Sequence, residues 1–440
     1  MTPFRIAAAA ALLAQAPVLA AALLGHADPA TLEAAGRAAM AAAGAVVAPA
    51  PGWPSLPGLL AQGIAHLVPA AWAVLIPTVL AAALAAGIAA QTLQILGARR
   101  PAFWGLLVGL SPALLAAPGL GWTLLAGMLP MRVLACLGRP GAGALSLYGM
   151  ALAIAPFLDQ AILPALPLLV LAGWTAAHGP MRRETPTATA FFVAFPLVTA
   201  LFGIAYADWA LGGSGTDALV RLVPVPPPQA IGTDLAALLA AACLPLLIWP
   251  RRSRTRLSRA ARLAVLGLAL AAATAPMLGL GTVWTIPALV LPGALLLAGL
   301  RDVALPVRRL GLTAAIAGGL APALLAPPPA LAPVERALAG AAPADAPWRA
   351  AIAAAPTLLE PADAHLAAFA PPGRVLPPGS EAFRAAEARR WYAPQAIVRD
   401  PRRAVSRLGH ANPALVLGPP PGYETALDDG KRRLIRRTDR

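Results

Sequence analysis

Lysine is almost missing from this chain: of its 34 basic residues only Lys431 is a lysine. Together with the abundant alanine, this reads as a coding bias rather than a binding device. Charge of any kind is scarce. Charged residues make up 12% of the 440 residues, against roughly 25% in a soluble domain, which excludes an ordinary soluble protein. The only cysteines, Cys136 and Cys243, both sit in apolar runs, so a disulfide framework and a thiolate metal site are excluded. There is no Walker loop, no zinc-type His/Cys cluster, no G-x-S-x-G elbow and no HExxH, which removes soluble nucleotide chemistry. No cofactor is expected. Nucleic acid is not an expected partner either. The formal charge of +15 is spread over short gaps and a tail, not over one folded basic face.

What the chain has is apolar length. Hydrophobic residues reach 59% and the mean hydropathy is +0.70. A spanning helix needs about 20 apolar residues, and runs of suitable composition lie near 4–25, 69–96, 102–117, 120–137, 141–157, 161–178, 187–207, 233–250, 262–280, 283–300 and 310–326. The expected fold is an all-α polytopic membrane protein of about eleven spans, 1–326, in the inner membrane of a bacterium. Arginine marks every second gap: Arg99-Arg100, Arg139, Arg182-Arg183, Arg251 to Arg262, then Arg301, Arg308 and Arg309. Positive loops stay in the cytoplasm. This places the N-terminus inside, and the loops 26–68 and 208–232 and everything after about 327 outside. Arg5, an apolar core and the small residues at Ala20-Ala21-Ala22 suit a cleaved signal peptide as well as a retained span.

The outer loop 26–68 is organised. Asp28-Pro29 suits a helix cap followed by proline at the first helical position. Glu33 and Arg37 stand at i, i+4 on the helix that follows. A Pro/Gly break from Pro49 to Pro57 precedes a second short helix, expected on the membrane surface. Residues 327–350, rich in proline and alanine, read as a linker. Residues 351–440 read as a small α/β periplasmic module, with strands at Ala396–Val398 and Ala414–Leu417 and a helix near 380–391.

Charges at membrane depth are costly and therefore functional candidates, but the few acids sit mostly in loops. Asp159, at the turn Phe157-Leu158-Asp159-Gln160, suits a cap, and so does Asp28. His26 and His66 flank the outer loop. Arg132 lies inside the fourth span, and Gln91 and Gln94 share a face of the second.

The order of elements resembles the membrane-embedded glycosyltransferases of the GT-C type, which use polyprenyl-phosphate-sugar donors. The resemblance covers most of residues 1–330. It rests on the outer loop 26–68, on Ser111-Pro112 in "LLVGLSPALLAAPGLGWTLLAGMLPMRVLACL", and on the proline-bearing span "FFVAFPLVTALFGIAYADW". It implies that Asp28 is the acidic residue of the outer loop that acts as the base, accepting a proton from the acceptor hydroxyl, or orients the acceptor. Arg37, Arg221 or His66 would hold the departing lipid phosphate, with Asp159 at the same face. The chain departs from the pattern in two places: Asp28 has no adjacent second acid, and residues 113–131 contain no acid at all.

Two functions from different classes follow. One is an enzyme of envelope glycan or glycolipid assembly that transfers a sugar from a polyprenyl-phosphate donor. The other is a non-enzymatic scaffold or transport component whose module 351–440 binds an envelope protein. Membrane lipids are partners in both. An enzyme predicts an outer cavity lined by Asp28 and a basic residue; a scaffold predicts tight packing there.

Overall fold

The computed structural model describes residues 2–44, 55–137, 142–177, 185–210, 255–300, 327–343, 345–359, 361–376, 395–398, 422–429 and 432–438, with isolated positions between 313 and 323. It is mostly helical, with a small sheet near the C-terminus. Two units are distinguished, one of residues 1–17, 51–56 and 78–331 and the other of residues 18–50, 57–77 and 332–440.

The helices, in chain order, are α1 (Pro3–Ala14), α2 (Ala16–Leu23), α3 (Pro29–Ala42), α4 (Leu56–Ala65), α5 (Ala70–Ile95), α6 (Pro101–Gly109), α7 (Pro112–Ala116), α8 (Leu120–Cys136) and α9 (Ala142–Leu158). A 3-10 turn, Gln160–Ala165, leads into α10 (Leu166–Ala176). Then come α11 (Pro186–Ala210), α12 (Arg256–Thr274), α13 (Thr285–Gly299), α14 (Leu331–Leu338) and α15 (Ala346–Ala354).

Four helical stretches among the described residues are long and apolar enough to cross a membrane: Pro3–Leu23, Ala70–Ile95, Pro186–Gly203 and Leu257–Thr274. Others, including Leu120–Cys136, Ala144–Leu158 and Thr285–Gly299, are apolar but shorter. The expected span 102–117 is broken into α6 and α7. Ser111 is extended (φ −61°, ψ 138°) and Pro112 has no N–H to continue the ladder. The expected span 262–280 begins earlier, at Arg256, because Thr255 caps it by accepting from the Ser258 N–H. Runs 233–250 and 310–326 lie wholly or almost wholly outside the described residues.

The first unit packs through small residues. A Cβ on Gly105 would lie 2.5 Å from the Ala90 Cβ and 2.8 Å from the Ala7 Cβ, and one on Gly109 would lie 2.9 Å from the Ala11 Cβ. Backbones of α1, α5 and α6 thus approach closely, which is how helices associate where lipid is as apolar as leucine. Tyr148 is fully buried and donates to the Leu169 carbonyl at 2.7 Å, joining α9 to α10.

The second unit is built from distant parts of the chain. Its sheet runs in the order β2-β1-β3-β5-β4, with β1 (Thr357–Leu358), β2 (Val375–Leu376), β3 (Gln395–Val398), β4 (Tyr423–Asp428) and β5 (Arg433–Arg437). β1 pairs parallel with β2 and β3; β5 pairs antiparallel with β3 and β4. Its core holds Trp348, Ile352, Leu359, Leu366, Ile397 and Leu434, and with them Met40 of α3. The 26–68 loop is therefore part of the module's core. A Cβ on Gly36 would lie 2.6 Å from the His365 N and closer still to the Ala364 carbonyl, so α3 lies directly on the 3-10 segment Pro361–Ala367. The stretch 327–350, expected to be a linker, carries α14 and α15. Trp348 and Ile352 are buried in the module, and that burial orders the segment. The strand at 396–398 is present. The expected strand 414–417 and helix 380–391 lie outside the described residues.

Candidate functional site

Asp28 is the cap of α3. Its Oδ1 accepts from the Thr31 N–H at 3.0 Å and its Oδ2 from the Thr31 hydroxyl at 2.5 Å. It is 7% exposed. Pro29 at the first helical position has no N–H to satisfy, so the cap serves the next free donors. Both carboxylate oxygens are thus engaged within the residue's own turn. Arg37 is exposed and pairs with Glu33 at 2.6 Å, the i, i+4 pair expected. Such a surface pair contributes little to stability.

His66 follows α4 and lines a cavity of about 180 Å3. The remaining lining is apolar or backbone-like, with Ala42, Ala65, Ala370, Pro371 and Val375 among it. Neither Asp28 nor Arg37 lines this cavity. His26 donates from Nε2 to the Ala341 carbonyl at 2.9 Å. Asp159 belongs to the first unit, where it caps the 3-10 turn by accepting from the Ala161 N–H at 2.8 Å and accepts from the Thr123 hydroxyl. Arg132 donates from Nη1 to the Cys136 Sγ at 2.7 Å and from Nε to the Gln91 Oε1 at 3.4 Å. Arg221 lies outside the described residues. The structure therefore places Asp28, Arg37 and His66 in one unit, with Asp28 and Arg37 outside the lining of the cavity beside His66.

A different cluster does converge. Arg432, just before β5, donates from Nη2 to the Asp345 Oδ1 at 3.0 Å and from Nε to the Asp429 Oδ2 at 3.1 Å. Its Nη1 is 4.0 Å from the Asp363 Oδ1, and Asp363 is fully buried. The guanidinium also stacks 5.0 Å above the Trp348 ring. Burial alone would lower the Arg432 pKa, but the hydrogen bonds and charges of Asp345 and Asp429 outweigh it, and the value is raised. Beside it, burial pushes the His365 pKa below its ordinary 6.5. Asp345 and Asp363 pull the other way, and Arg432 and Arg349 add to the lowering. Arg349 donates to the Gly25 carbonyl at 2.5 Å and lies over Phe369 at 5.1 Å. Its pKa is lowered by burial, against Asp345 and with Arg336.

This cluster ties α15, the 3-10 segment and the β4–β5 hairpin together. Its chemistry is that of a lock: a planar fork held by several carboxylates. No spacing rule reveals it, since Arg432 and Asp345 are 87 positions apart. No group of three or more His, Cys, Asp or Glu suited to a metal ion occurs among the described residues. Neither protein-family models nor curated protein sequences match this chain.

Proposed function

We propose that this is a multi-pass inner-membrane protein whose outer module serves envelope glycan or glycolipid assembly by binding a partner rather than by catalysing transfer. In this reading the chain crosses the membrane about eleven times, with the N-terminus inside and the loop 26–68 and everything after about 327 outside. The observation that carries it is the state of Asp28. The residue best placed to act as a base has both oxygens engaged with Thr31, and it is not among the residues lining the cavity beside His66. The sugar-transfer reading is kept second, on the two-helix outer loop and the break at Ser111-Pro112 that give the GT-C-like order.

The test is complementation of a deletion strain, read by mass spectrometry of envelope glycans, with Asp28→Ser and Asp28→Asn. Serine caps a helix about as well as aspartate but cannot take a proton at neutral pH. Loss of the chain is expected to alter the glycans, and both variants to restore them. Unaltered glycans in the deletion strain would sink the assembly role. Failure of both variants at normal protein levels would return the chain to the transferases.

A further inference from the structure

We infer that α4 is a foot by which the 18–50, 57–77 and 332–440 unit rests in a lipid surface. Helix α4 is amphipathic in the reverse sense. Leu59, Leu60 and Leu67 are exposed, at 59%, 40% and 81%, while the small residues Ala61 and Ala65 are buried. Positions 56, 59, 60 and 63 fall on one face of α4 at the 3–4-residue spacing of a continuous stripe, and Leu67 follows in the turn beyond Ala65. All five are exposed, and four of them are leucine. From Ser55 to Trp72 no residue carries a formal charge, and His66 is the sole titratable side chain. A leucine stripe with no charged flank is not a solvated face. Water would have to cover all of it, whereas soluble monomers rarely leave a contiguous apolar patch uncovered.

The occupant is argued from continuity. Three residues beyond Leu67 begins α5, the most apolar of the membrane-crossing helices, and α5 exposes its own stripe at Ile76, Leu80 and Leu84 with helical spacing. A helix that ends where a span begins lies at the level where that span enters the bilayer. There an apolar face sinks about 5–10 Å into the boundary between headgroups and acyl chains. Since the helix carries no cation, its attachment rests on burial and not on attraction to anionic headgroups.

The foot is built into the unit. Ala61 and Ala65 pack in one cluster with Ala35, Ala38 and Ala368. The Ala71 N–H donates to the Ala368 carbonyl at 2.6 Å. The same 3-10 region bears the Gly36 contact and, through Asp363, the arginine lock. The sheet module and the leucine stripe therefore move together, so whatever the module binds is met at the headgroup plane. This rests on no choice between scaffold and transferase.

The test uses the full chain, with Cys136→Ala and Cys243→Ala, in vesicles of phosphatidylcholine and phosphatidylglycerol. Nitroxide labels are placed through Leu59→Cys, Leu60→Cys and Leu67→Cys, with Glu33→Cys on α3 as the exposed control. Relaxation by oxygen, which concentrates in lipid, is compared with relaxation by a water-soluble nickel chelate. The three leucine sites are expected to favour oxygen several-fold, and Glu33→Cys to favour nickel, unchanged by added salt. Nickel access at the leucine sites equal to that of the control overturns the inference. Shielding from both reagents, as under another part of the chain or a second copy, overturns it too. Should the cysteine variants fail to fold, the unmodified chain is photolysed in vesicles with a diazirine-bearing phospholipid. Adducts within 56–67 support the foot, and adducts confined to the crossing helices refute it. Both readouts report lipid contact independently of envelope glycans, so this inference and the proposed function can fail separately.

Discussion

Replacing Arg432 by methionine removes the charge while keeping most of the apolar stem. Three losses follow. The hydrogen bonds to Asp345 and Asp429, at 3.0 and 3.1 Å, disappear. The stacking over Trp348 goes, an effect of about 0.5–1 kcal/mol at exposed sites and more when desolvated. Asp363, which has no exposed surface, also loses a cation 4.0 Å away. Breaking a fully buried pair costs about 3–5 kcal/mol. Here Arg432 keeps 16% of its side-chain exposure and Asp429 keeps 33%, so water screens part of the loss, and we expect about 2–3 kcal/mol. For a unit of this size each kcal/mol moves the midpoint by about 2–4 °C, giving a fall of roughly 4–12 °C. The assay is thermal unfolding of the full chain in nanodiscs, followed by hydrogen exchange at the β4–β5 hairpin. Exchange there should accelerate before the membrane helices lose protection. Arg432→Lys should recover only part of the stability, because an ammonium cannot reproduce the fork. A double mutant with Asp345→Asn should lose less than the two single changes summed. Additive losses, or a midpoint shift below 2 °C, would refute the view of Arg432 as a lock.

The remaining expectations follow from the same unit. Gly36→Val should destabilise the module by about 1–3 kcal/mol, the usual cost of overpacking, because its Cβ would meet the Ala364 and His365 backbone. Wild-type melting of Gly36→Val would show that α3 does not lie on that segment. His365 is depressed below 6.5 in the fold chiefly by burial. The fold therefore prefers the neutral ring, and the unfolded chain binds the proton first on acidification. Its stabilisation is complete above pH 6.5 and is lost as pH falls from there through the folded value. His365→Gln should flatten that acid limb in pH-dependent melting, and an unchanged slope would remove His365 as its cause.

Local devices were legible before any fold was known. Asp28-Pro29 as a cap, Glu33 with Arg37, Asp159 at its turn and the strand at 396–398 all depend on residues a few positions apart. So does the apolar length of the crossing helices, since a membrane selects for composition over about 20 residues. The candidate site fared differently. Asp28, Arg37 and His66 were legible as residues, but the geometry that would unite them was not, because side chains on separate helices have no sequence spacing. The helices within 327–350 are not legible in the sequence for a related reason: alanine and proline are weak local signals. Within that stretch, the burial of Ala330, Pro333 and Trp348 goes with its helices.

By itself, then, the sequence determined that this chain carries apolar runs long enough to cross a membrane, where its polar gaps fall and which short turns are capped. Each rests on composition or on neighbours within one helical turn. Tertiary structure alone decided that Met40 of α3 completes the core of a C-terminal sheet. It also decided that α4 turns its leucines outward, and that Arg432 gathers Asp345, Asp363 and Asp429 around one guanidinium. Those arrangements join positions tens to hundreds of residues apart, and it is burial around the joined groups that makes the contacts hold.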